Sequence, residues 1–426
     1  MNISFTKVTF IGCLVFGILT NTFAQDRNQA EIVIDILCSD SFAGRGYLQK
    51  GDEIAANFIR TEFKKVGLKS ATKDYFQQFY LNVNTIPKSQ FSIDGKQFKA
   101  GYDYLVSPSS NSGKGKFKVF YVSNKLLLDP SIDKKIKKAI RKGFVPVIPQ
   151  YDSKNKNIVE NIAAIKECNN GKVIVFLKDH LTWSVARNQQ DVCEIWLLDS
   201  VFDRFSNTIS LDVKSEFIEN YKSQNVIGYV PGTENPDSFI MFCGHYDHLG
   251  KMGDAIFYGA NDNASGISIL LDMAKFFVSN PQKYSIVFVA FGGEEAGLVG
   301  SYNYVSNPPL SIPLNKTKFV FNMDLMGSGE SGATIVNGSL FIKEFDELVE
   351  INNANNYLPK INKRGKAANS DHYFFSEAGI PAFFIYLMGE YKHYHIPADN
   401  AKNLKLGEYY DRSFLLIRDF IIYLNK

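Results

Sequence analysis

The sequence is poor in cysteine, in long apolar runs and in excess charge of either sign. Five cysteines in 426 residues are too few for a disulfide scaffold, and no C-x-x-C pair indicates a zinc finger or redox site. A formal charge of +3, from 47 basic and 44 acidic residues, gives no reason to expect nucleic acid as a partner. There is no internal repeat and no low-complexity tract. The 45% of apolar residues is instead typical of a globular protein with a substantial core.

The N-terminus has the pattern of a signal peptide. Lys7 precedes the apolar run Val8–Leu19, and Ala24 offers a small residue for cleavage. The run has 12 residues, whereas a bilayer needs about 20. We therefore predict that residues 1–24 are a signal peptide and that the protein is exported, to the periplasm or the extracellular space. Lipid anchoring through Cys13 is less favoured, because the apolar run continues past that residue.

The cysteines that remain after removal of a signal peptide leave their redox state open. They are widely spaced in the sequence: Cys38, Cys168, Cys193 and Cys243. A bridge between Cys168 and Cys193 is compatible with an oxidising compartment. Free buried thiols are equally compatible with the sequence, so no disulfide pairing is predicted.

Hydrophobic periodicity divides the chain after residue 24 into three segments. Residues 25–76 contain two helical patterns, the better of which is Asp52–Val66. Residues 77–223 have short strand-like runs among lysine-rich and turn-rich segments, which predicts an inserted α/β or mostly β subdomain. Residues 224–426 alternate strands with helices. The fold class that we predict is α/β, with a mixed, largely parallel central sheet, helices on both faces and the inserted subdomain.

A basic run at 134–142 lies within the predicted insert. Ile132, Ile136 and Ile140 recur there at helical spacing, which indicates an amphipathic helix with a solvated basic face. A membrane or polyanion site is the alternative interpretation.

Side chains that can bind metal follow the predicted strands of the last segment. The four strands are Ser238–Cys243, Ser285–Phe291, Lys318–Asn322 and Ala382–Leu387, and the residues after them include His245, Asp247, Glu294, Glu295, Asp324 and His395. Asp262 precedes the helix that follows the first strand. Ligands of open α/β sheets bind beyond the carboxyl ends of the strands, so these residues should converge.

Two histidines and three carboxylates suit zinc better than calcium or magnesium, which prefer oxygen ligands. Glu294 and Glu295 are adjacent, so one can bind metal while the other faces an attacking water. No G-x-S-x-G elbow and no H-E-x-x-H helix occurs. The G-x-G-x-x-G match at 327–332 precedes a strand-like run rather than a helix, so it lacks the context of a dinucleotide site.

The motifs at these positions resemble one known family. They are His245-Tyr246-Asp247, the run from Gly259 to Gly266, the run from Phe291 to Gly297, Asn322-Met323-Asp324 and Tyr394-His395. In order and spacing they resemble the secreted di-zinc aminopeptidases of the aminopeptidase Y type, relatives of glutaminyl cyclase. The resemblance covers roughly 26–76 and 224–426, and many relatives carry a protease-associated insert where this chain has its middle segment.

The resemblance implies a secreted metallo-exopeptidase with two zinc ions, acting on peptides with a free N-terminus. It assigns Asp262 as the bridging ligand, His245 and Asp324 to one metal, and Glu295 and His395 to the other. Glu294 would be the general base. By the same resemblance, Asp247 would accept a hydrogen bond from the ring of His245, and Tyr394 would donate to the oxyanion. His372 would have a substrate-side or supporting role rather than that of a ligand.

Two other functions remain open at this stage. A single-zinc enzyme similar to glutaminyl cyclase would not need all five ligands, and a non-enzymatic, receptor-like relative would be expected to lose a ligand or Glu294. Dipeptidase or carboxypeptidase specificity is also open. The sequence gives no transmembrane segment after residue 24 and no indication of the oligomeric state.

Overall fold

The computed structural model describes residues 26–129, 131–169 and 172–426, so the predicted signal peptide and Cys13 lie outside the described residues. The helices are α1 Arg27–Leu37, α2 Gly51–Val66, α3 Asn124–Leu127, α4 Ile132–Arg141, α5 Lys156–Cys168, α6 Ser265–Ser279, α7 Val299–Ser306, α8 Ile342–Asn355, α9 His372–Glu377 and α10 Glu408–Leu424. The strands are β1 Lys69–Ser70, β2 Phe76–Ile93, β3 Lys96–Phe98, β4 Tyr104–Val106, β5 Gly113–Tyr121, β6 Phe144–Ile148, β7 Val173–Lys178, β8 Cys193–Leu198, β9 Thr208–Val230, β10 Asn235–His245, β11 Gly250–Met252, β12 Ala255–Phe257, β13 Tyr284–Phe291, β14 Thr317–Met323, β15 Gly332–Val336, β16 Ile361–Lys363 and β17 Ala382–Met388.

The predicted α/β class is confirmed, with a largely parallel sheet at its centre. The strand β10 pairs in parallel with β13 on one side and with β14 on the other, and β14 pairs in parallel with β17. Antiparallel neighbours flank this parallel group, β9 beside β13 and β15 beside β17. The central strands are buried on both faces, since α6 and α10 cover one side and α9 packs near the other. Continuous apolar runs rather than alternation therefore mark these strands.

The helix α2 shows how the sequence sets local structure. Asp52 and Glu53 lie in its first turn, and Lys64 and Lys65 lie in its last, where each sign suits the helix dipole. Gly67 ends the helix in the left-handed conformation, at φ 90°, and its N–H bonds the carbonyl of Lys64. The prediction of Asp52–Val66 is thus accurate to one residue.

The inserted segment contains a parallel sheet of its own, so it is α/β. Strands β5, β6, β7 and β8 pair in parallel in that order, and α4 and α5 pack on them. The basic run forms α4, with Ile132, Ile136 and Ile140 buried against the sheet. The predicted amphipathic helix is therefore confirmed.

A long antiparallel ribbon that the sequence analysis did not predict connects the two sheets. β2 has 18 residues and β9 has 23, and they pair from Phe76 opposite Val226 to Ile93 opposite Ile209. One end of β9 also pairs with β13, and the other end pairs with β5. The predicted boundaries near residues 77 and 223 fall inside these strands.

The described part of the chain carries four cysteines, all of them free thiols, and three of these are buried. Burial raises the pKa of the Cys193 thiol to about 12. Among the described helices, none combines the length and the apolar character that crossing a bilayer requires.

Candidate metal centre

The predicted ligands lie at one edge of the central sheet. Because β10, β13, β14 and β17 are parallel neighbours, the loops that follow them leave the sheet at the same edge. A cavity of about 250 Å³ opens there. It is lined by His245, Asp262, Glu295, Asp324 and His395, the five predicted ligands, and also by Glu294 and Tyr394.

The five residues form two groups that share Asp262. On one side His245 Nε2 lies 3.3 Å from Asp262 Oδ1 and 3.4 Å from Asp324 Oδ1. On the other side His395 Nε2 lies 3.2 Å from Asp262 Oδ2 and 3.4 Å from Glu295 Oε2. Ligand atoms 2.0–2.2 Å from a tetrahedral zinc ion would be roughly 3.3–3.6 Å apart. Each group therefore has the spacing of a zinc coordination shell, and Asp262 offers one oxygen to each.

The histidine tautomers explain why a cation fits between these groups. His245 Nδ1 lies 3.1 Å from the carbonyl oxygen of Asp247, and His395 Nδ1 lies 2.9 Å from that of Trp183. A carbonyl can only accept, so in both rings Nδ1 carries the hydrogen and Nε2 presents a lone pair to carboxylate oxygens. His245 Nε2 and Asp324 Oδ1 are buried without a hydrogen-bond partner. Facing lone pairs repel one another unless positive charge lies between them.

The same conclusion follows from the charges. Burial lowers the pKa of His395, but Glu295 and Asp262 outweigh it and raise that pKa to about 11. The two carboxylates thus favour a positive charge at His395 Nε2, which a proton or a metal ion can supply. These residues fit a pair of zinc ions: two imidazoles and three carboxylates, already gathered and oriented.

The loop that carries Asp262 is held in place by backbone geometry and by close packing. Gly259 begins it in the left-handed conformation, at φ 61°, and a Cβ there would lie 2.0 Å from the carbonyl oxygen of Asp262. A Cβ on Gly266 would lie 2.5 Å from the carbonyl oxygen of Met323, which precedes the predicted ligand Asp324. Gly259 is therefore required for the fold of the loop itself, and Gly266 for its close approach to β14.

Two buried charged side chains that the sequence analysis did not assign to the site also fix this loop. Asp399 accepts hydrogen bonds from the N–H groups of Asn261 (2.9 Å) and Asp262 (3.2 Å). Arg45, fully buried, donates to the carbonyl oxygens of Gly259 (2.7 Å) and Asp262 (3.3 Å). In the sequence, Arg45 was indicated only by the family resemblance of the segment that contains it. No local sequence pattern indicated a role for Asp399.

Asp247 occupies a different position from the predicted one. Its carboxylate oxygen lies 3.9 Å from His245 Nδ1, beyond hydrogen-bond distance, and its backbone carbonyl accepts that hydrogen instead. The carboxylate accepts from the N–H groups of Glu294 (3.1 Å) and Glu295 (3.3 Å). The ring is still held in the expected tautomer, but the carboxylate of Asp247 fixes the turn after β13 rather than the imidazole.

The two adjacent glutamates have different surroundings. Glu295 faces His395 and also accepts from His248 Nδ1 at 2.8 Å. Burial opposes the ionisation of Glu295, yet the two histidines lower its pKa to about 2. Burial raises the pKa of Glu294 well above its usual value, and Glu295 and Asp371 raise it further. Glu295 is therefore suited to bind a cation, and Glu294 to hold and release a proton.

His248 is another contributor that the sequence analysis left out. It is fully buried, and its Nε2 has no hydrogen-bond partner among the described residues. With Asp262 and Glu295 it forms a further group able to hold a metal ion. In the observed arrangement its contact with Glu295 Oε1 orients that carboxylate, which leaves Oε2 facing His395.

Three further side chains line or support the cavity, and the sequence analysis had named two of them, Tyr394 and His372. Tyr394 is half exposed and stacks on the ring of His395, with 3.9 Å between the ring centroids. Ser370 donates to Asp324 Oδ2 at 3.0 Å. His372 is buried behind the wall of the cavity, with its ring 5.4 Å from that of Phe384. Its supporting or substrate-side role stays a prediction.

Comparison with known proteins finds similarity to peptidases over the last segment of the chain. Residues 225–419 match the model of peptidase family M28. This match spans less than half of the chain and contains all five predicted ligands. Aminopeptidase YwaD of Bacillus subtilis (strain 168) is 30% identical over 211 residues, 45% of this chain and 43% of that protein. A probable zinc metalloprotease of Pyrenophora teres f. teres is 35% identical over 116 residues, 26% of this chain and 24% of that protein. The chain thus matches less than half the length of these curated relatives.

Solved structures extend the similarity of fold to the whole described chain. A zinc aminopeptidase from Bacillus subtilis has a TM-score of 0.70 at 20% identity and covers 94% of this chain and 95% of its own. An aminopeptidase from Aneurinibacillus sp. strain AM-1 has a TM-score of 0.61 at 18% identity, with 94% of each chain covered. At these identities the likeness concerns the fold, including the inserted segment.

Proposed function

We propose that this protein is a zinc-dependent exopeptidase that removes N-terminal residues from peptides at a site with two zinc ions. The observation that carries the proposal is the pair of ligand groups sharing Asp262, in which both Nε2 lone pairs face carboxylate oxygens at 3.2–3.4 Å. The match of residues 225–419 to the model of peptidase family M28 supports peptide hydrolysis as the reaction. The names of the zinc aminopeptidases that share the fold support zinc and the N-terminal direction.

In the proposed mechanism His245, Asp324 and Asp262 would hold one ion, and His395, Glu295 and Asp262 would hold the other. When bound, the two ions would supply Lewis acidity and lower the pKa of water in the cavity. Glu294 lines the same cavity and lies with His245 and Glu295 in a group that could hold a metal ion, but the proposal assigns it to neither ion, because its raised pKa suits a proton carrier. It takes a proton from the attacking water and passes it to the nitrogen of the leaving amine as the peptide bond breaks.

Tyr394 has a supporting part in this proposal. Its ring is stacked on His395 and its side chain lines the cavity, so its hydroxyl can donate to the oxygen of the substrate carbonyl as negative charge develops there. Asp247 fixes the backbone of Glu294 and Glu295, so the base and the ligand keep their relative positions.

Export belongs to the same proposal. The pattern at 1–24 indicates a cleaved signal peptide. An exopeptidase that acts on peptides with a free N-terminus is compatible with a location outside the cytoplasm. N-terminal sequencing of the mature protein from its native host should find Gln25 or a neighbouring residue first. A chain that retains Met1 would overturn export, and lipid on Cys13 would support the anchored form.

The experiment that tests the activity combines metal analysis with a panel of peptides. Purified protein should contain close to two zinc ions per chain and should release the first residue of peptides with a free amine. N-acetylation of the same peptides should abolish cleavage. One reproducible zinc equivalent under zinc-replete conditions would favour the cyclase-like alternative, and hydrolysis of internal bonds in blocked peptides would contradict an exopeptidase.

A further inference from the structure

One wall of the metal-site cavity carries polar side chains that the ligand groups do not use. Arg364, Asn369 and Tyr386 line the same cavity as Glu294 and the ligands. Within the described part of the chain, their side-chain polar atoms have no hydrogen bond or ion pair. Arg364 is also the one lysine or arginine among the described residues that line the cavity. Three potential donors thus face a space that is large enough for a ligand.

The position of Arg364 is fixed by its backbone. It follows β16, and its N–H donates to the carbonyl oxygen of Ile335 at 3.0 Å while its own carbonyl accepts from Ser339 at 3.2 Å. Both bonds tie the residue to the end of β15. The guanidinium therefore extends from an anchored point beside the cavity, although the side chain itself is exposed. An arginine held in this way is suited to bidentate recognition of a carboxylate.

The charge of Arg364 acts on this wall. Burial is the main reason that the pKa of His372 falls to about 3, and the positive charge of Arg364 lowers it further. His372 packs on Phe384, and Phe384 packs on Tyr386 with 5.4 Å between the ring centroids. Phe384 and Tyr386 are two residues apart on β17, so both face the cavity. The wall is therefore an aromatic surface with a cation at its margin.

The size of the cavity restricts what can reach this cation. Its volume of about 250 Å³ is at the lower end of ligand pockets, which typically range over ~300–1,000 Å³. It can accept one residue of a substrate beside the reacting bond, but not an extended peptide. A basic side chain placed there would meet Arg364 with like charge, whereas a carboxylate would pair with it.

Resting on the proposed function, we propose that Arg364 forms a carboxylate-binding subsite beside the metal centre. The preferred substrates then carry a carboxylate within one residue of the bond that is cleaved. That carboxylate is either the side chain of an N-terminal aspartate or glutamate, or the free C-terminus of a dipeptide. Asn369 and Tyr386 supply further donors to the same group.

The test compares Arg364→Met with Lys363→Met, a matched control one residue away. Both changes remove one positive charge, but Lys363 packs over the ring of Phe345 and does not line the cavity. The substrates form two pairs. Glu- and Gln-initiated tripeptide amides test the side chain, and Leu-Ala with a free or an amidated C-terminus tests the terminal carboxylate. Zinc content and the midpoint of thermal unfolding are measured for each variant.

The expected result is a preference of the wild-type protein for the carboxylate member of one pair. Arg364→Met should lower kcat/KM for that member about 10- to 100-fold, as expected for the loss of a hydrogen-bonded charge, and should leave its neutral partner within about twofold. Lys363→Met should leave the ratio of kcat/KM between the carboxylate and the neutral member unchanged in both pairs. The pair that responds identifies which carboxylate is bound.

The outcomes separate this inference from the function on which it rests. In one outcome, the wild-type protein cleaves free-amine peptides while Arg364→Met leaves both kcat/KM ratios unchanged or lowers kcat/KM equally for all substrates. That result would overturn the carboxylate subsite and leave the proposed peptidase function intact. If no peptide in the panel is cleaved by the zinc-loaded wild-type protein, the proposed function fails instead.

Discussion

At the scale of single residues, Glu294 and Glu295 are neighbours in sequence with different contacts. Glu295 faces two histidines and is anionic at neutral pH, since its pKa falls to about 2. Glu294 lies in the same cavity among further carboxylates, and burial raises its pKa. The turn that carries both glutamates is fixed, because the carboxylate of Asp247 accepts hydrogen bonds from both of their backbone N–H groups. Different roles for the two side chains follow from this geometry.

The first prediction compares Glu294→Gln with Glu295→Gln. The first change keeps the shape of the side chain and removes the proton acceptor, so kcat should fall about 10²- to 10⁴-fold while zinc content stays near that of the wild type. The second change removes an anionic ligand, so zinc should be lost from one site together with activity. Elemental analysis and kcat of both variants, measured side by side, check this. Loss of metal from Glu294→Gln alone would reverse the two roles.

The second prediction concerns Asp52, which is buried in the first turn of α2. Tyr221 and Ser223 of β9 donate to its two oxygens at 2.6 and 2.8 Å. Burial nevertheless raises its pKa to about 6, above the value of about 3.9 expected in the unfolded chain. A folded-state pKa above the unfolded one means that the stabilising contribution is fully present below about pH 4 and is lost as the pH rises through 6.

Comparison with Asp52→Asn isolates this effect, because that variant lacks the titration. The free energy of unfolding of the wild type, minus that of Asp52→Asn, should fall by about 3 kcal/mol between pH 3.5 and pH 7.5. Urea unfolding at intermediate pH values measures the difference, with the exposed Asp237→Asn as the control. A difference that is flat over this range would show that Asp52 ionises as it does in water, and one that increases with pH would show that its hydrogen bonds outweigh burial and lower its pKa.

At the scale of elements, the predictable part of the structure is the part that local patterns specify. The strands β10, β13, β14 and β17 are buried on both faces, so each is a continuous apolar run that the sequence shows directly. His245, Glu295, Asp324 and His395 follow these strands, and the convergence of parallel strand ends brings them together. The strand ends therefore indicated a pool of metal-binding candidates, and the resemblance to a known family singled out five of them as ligands, which remains a prediction.

The long strands β2 and β9 could not be predicted in the same way. Their residues alternate between buried and exposed only in part, because bulges at Leu81–Val83 and Thr85–Lys88 shift the register, and β9 changes partner along its length. Lysine and glutamate at exposed positions resemble loop sequence. Asp399 was missed for a related reason, since its hydrogen bonds to Asn261 and Asp262 span 137 or more residues. Contacts of this kind leave no local pattern.

The third prediction is that the inserted subdomain orients His395 through Trp183. Its carbonyl accepts from His395 Nδ1 at 2.9 Å, and its N–H donates to the carbonyl of His395 at 3.0 Å. The indole anchors this segment, since Nε1 donates to the carbonyl of Val106 at 2.8 Å and the ring stacks on Phe257. The insert therefore orients a predicted zinc ligand that lies 212 residues further along the chain.

Trp183→Ala should release the segment and weaken zinc binding on the His395 side about 10- to 100-fold, the usual cost of losing a partner that orients a ligand. Titration of zinc against a chromophoric chelator measures this. Trp196→Ala is the matched control, because Trp196 is the chain's other tryptophan and its Nε1 bonds Glu194 within the insert. If both variants bind zinc as the wild type does, the insert has no part in orienting His395.

At the scale of the whole molecule, the candidate metal centre joins segments that are far apart in sequence. Its predicted ligands run from His245 to His395, Arg45 supports it from the N-terminal segment, and Trp183 supports it from the insert. Asp262, Glu294, Glu295, Asp324 and Asp371 place five carboxylates close together in a buried region. Their mutual repulsion opposes folding unless positive charge is bound there, so metal binding and folding should be coupled.

The last prediction is that removal of zinc lowers stability as well as activity. An ion that binds the folded chain alone stabilises it by about 4 kcal/mol at a thousand times its dissociation constant, so a chelator should lower the midpoint of thermal unfolding by roughly 4–8 °C. Added zinc should restore the midpoint, and magnesium should not. Asp262→Asn serves as the control: without the residue shared by both ligand groups, its midpoint should respond little to chelator. The prediction is contradicted if chelator leaves the wild-type midpoint unchanged, or if it lowers the midpoint of Asp262→Asn by the same amount. Either result would show that metal binding at the five carboxylates does not stabilise the fold.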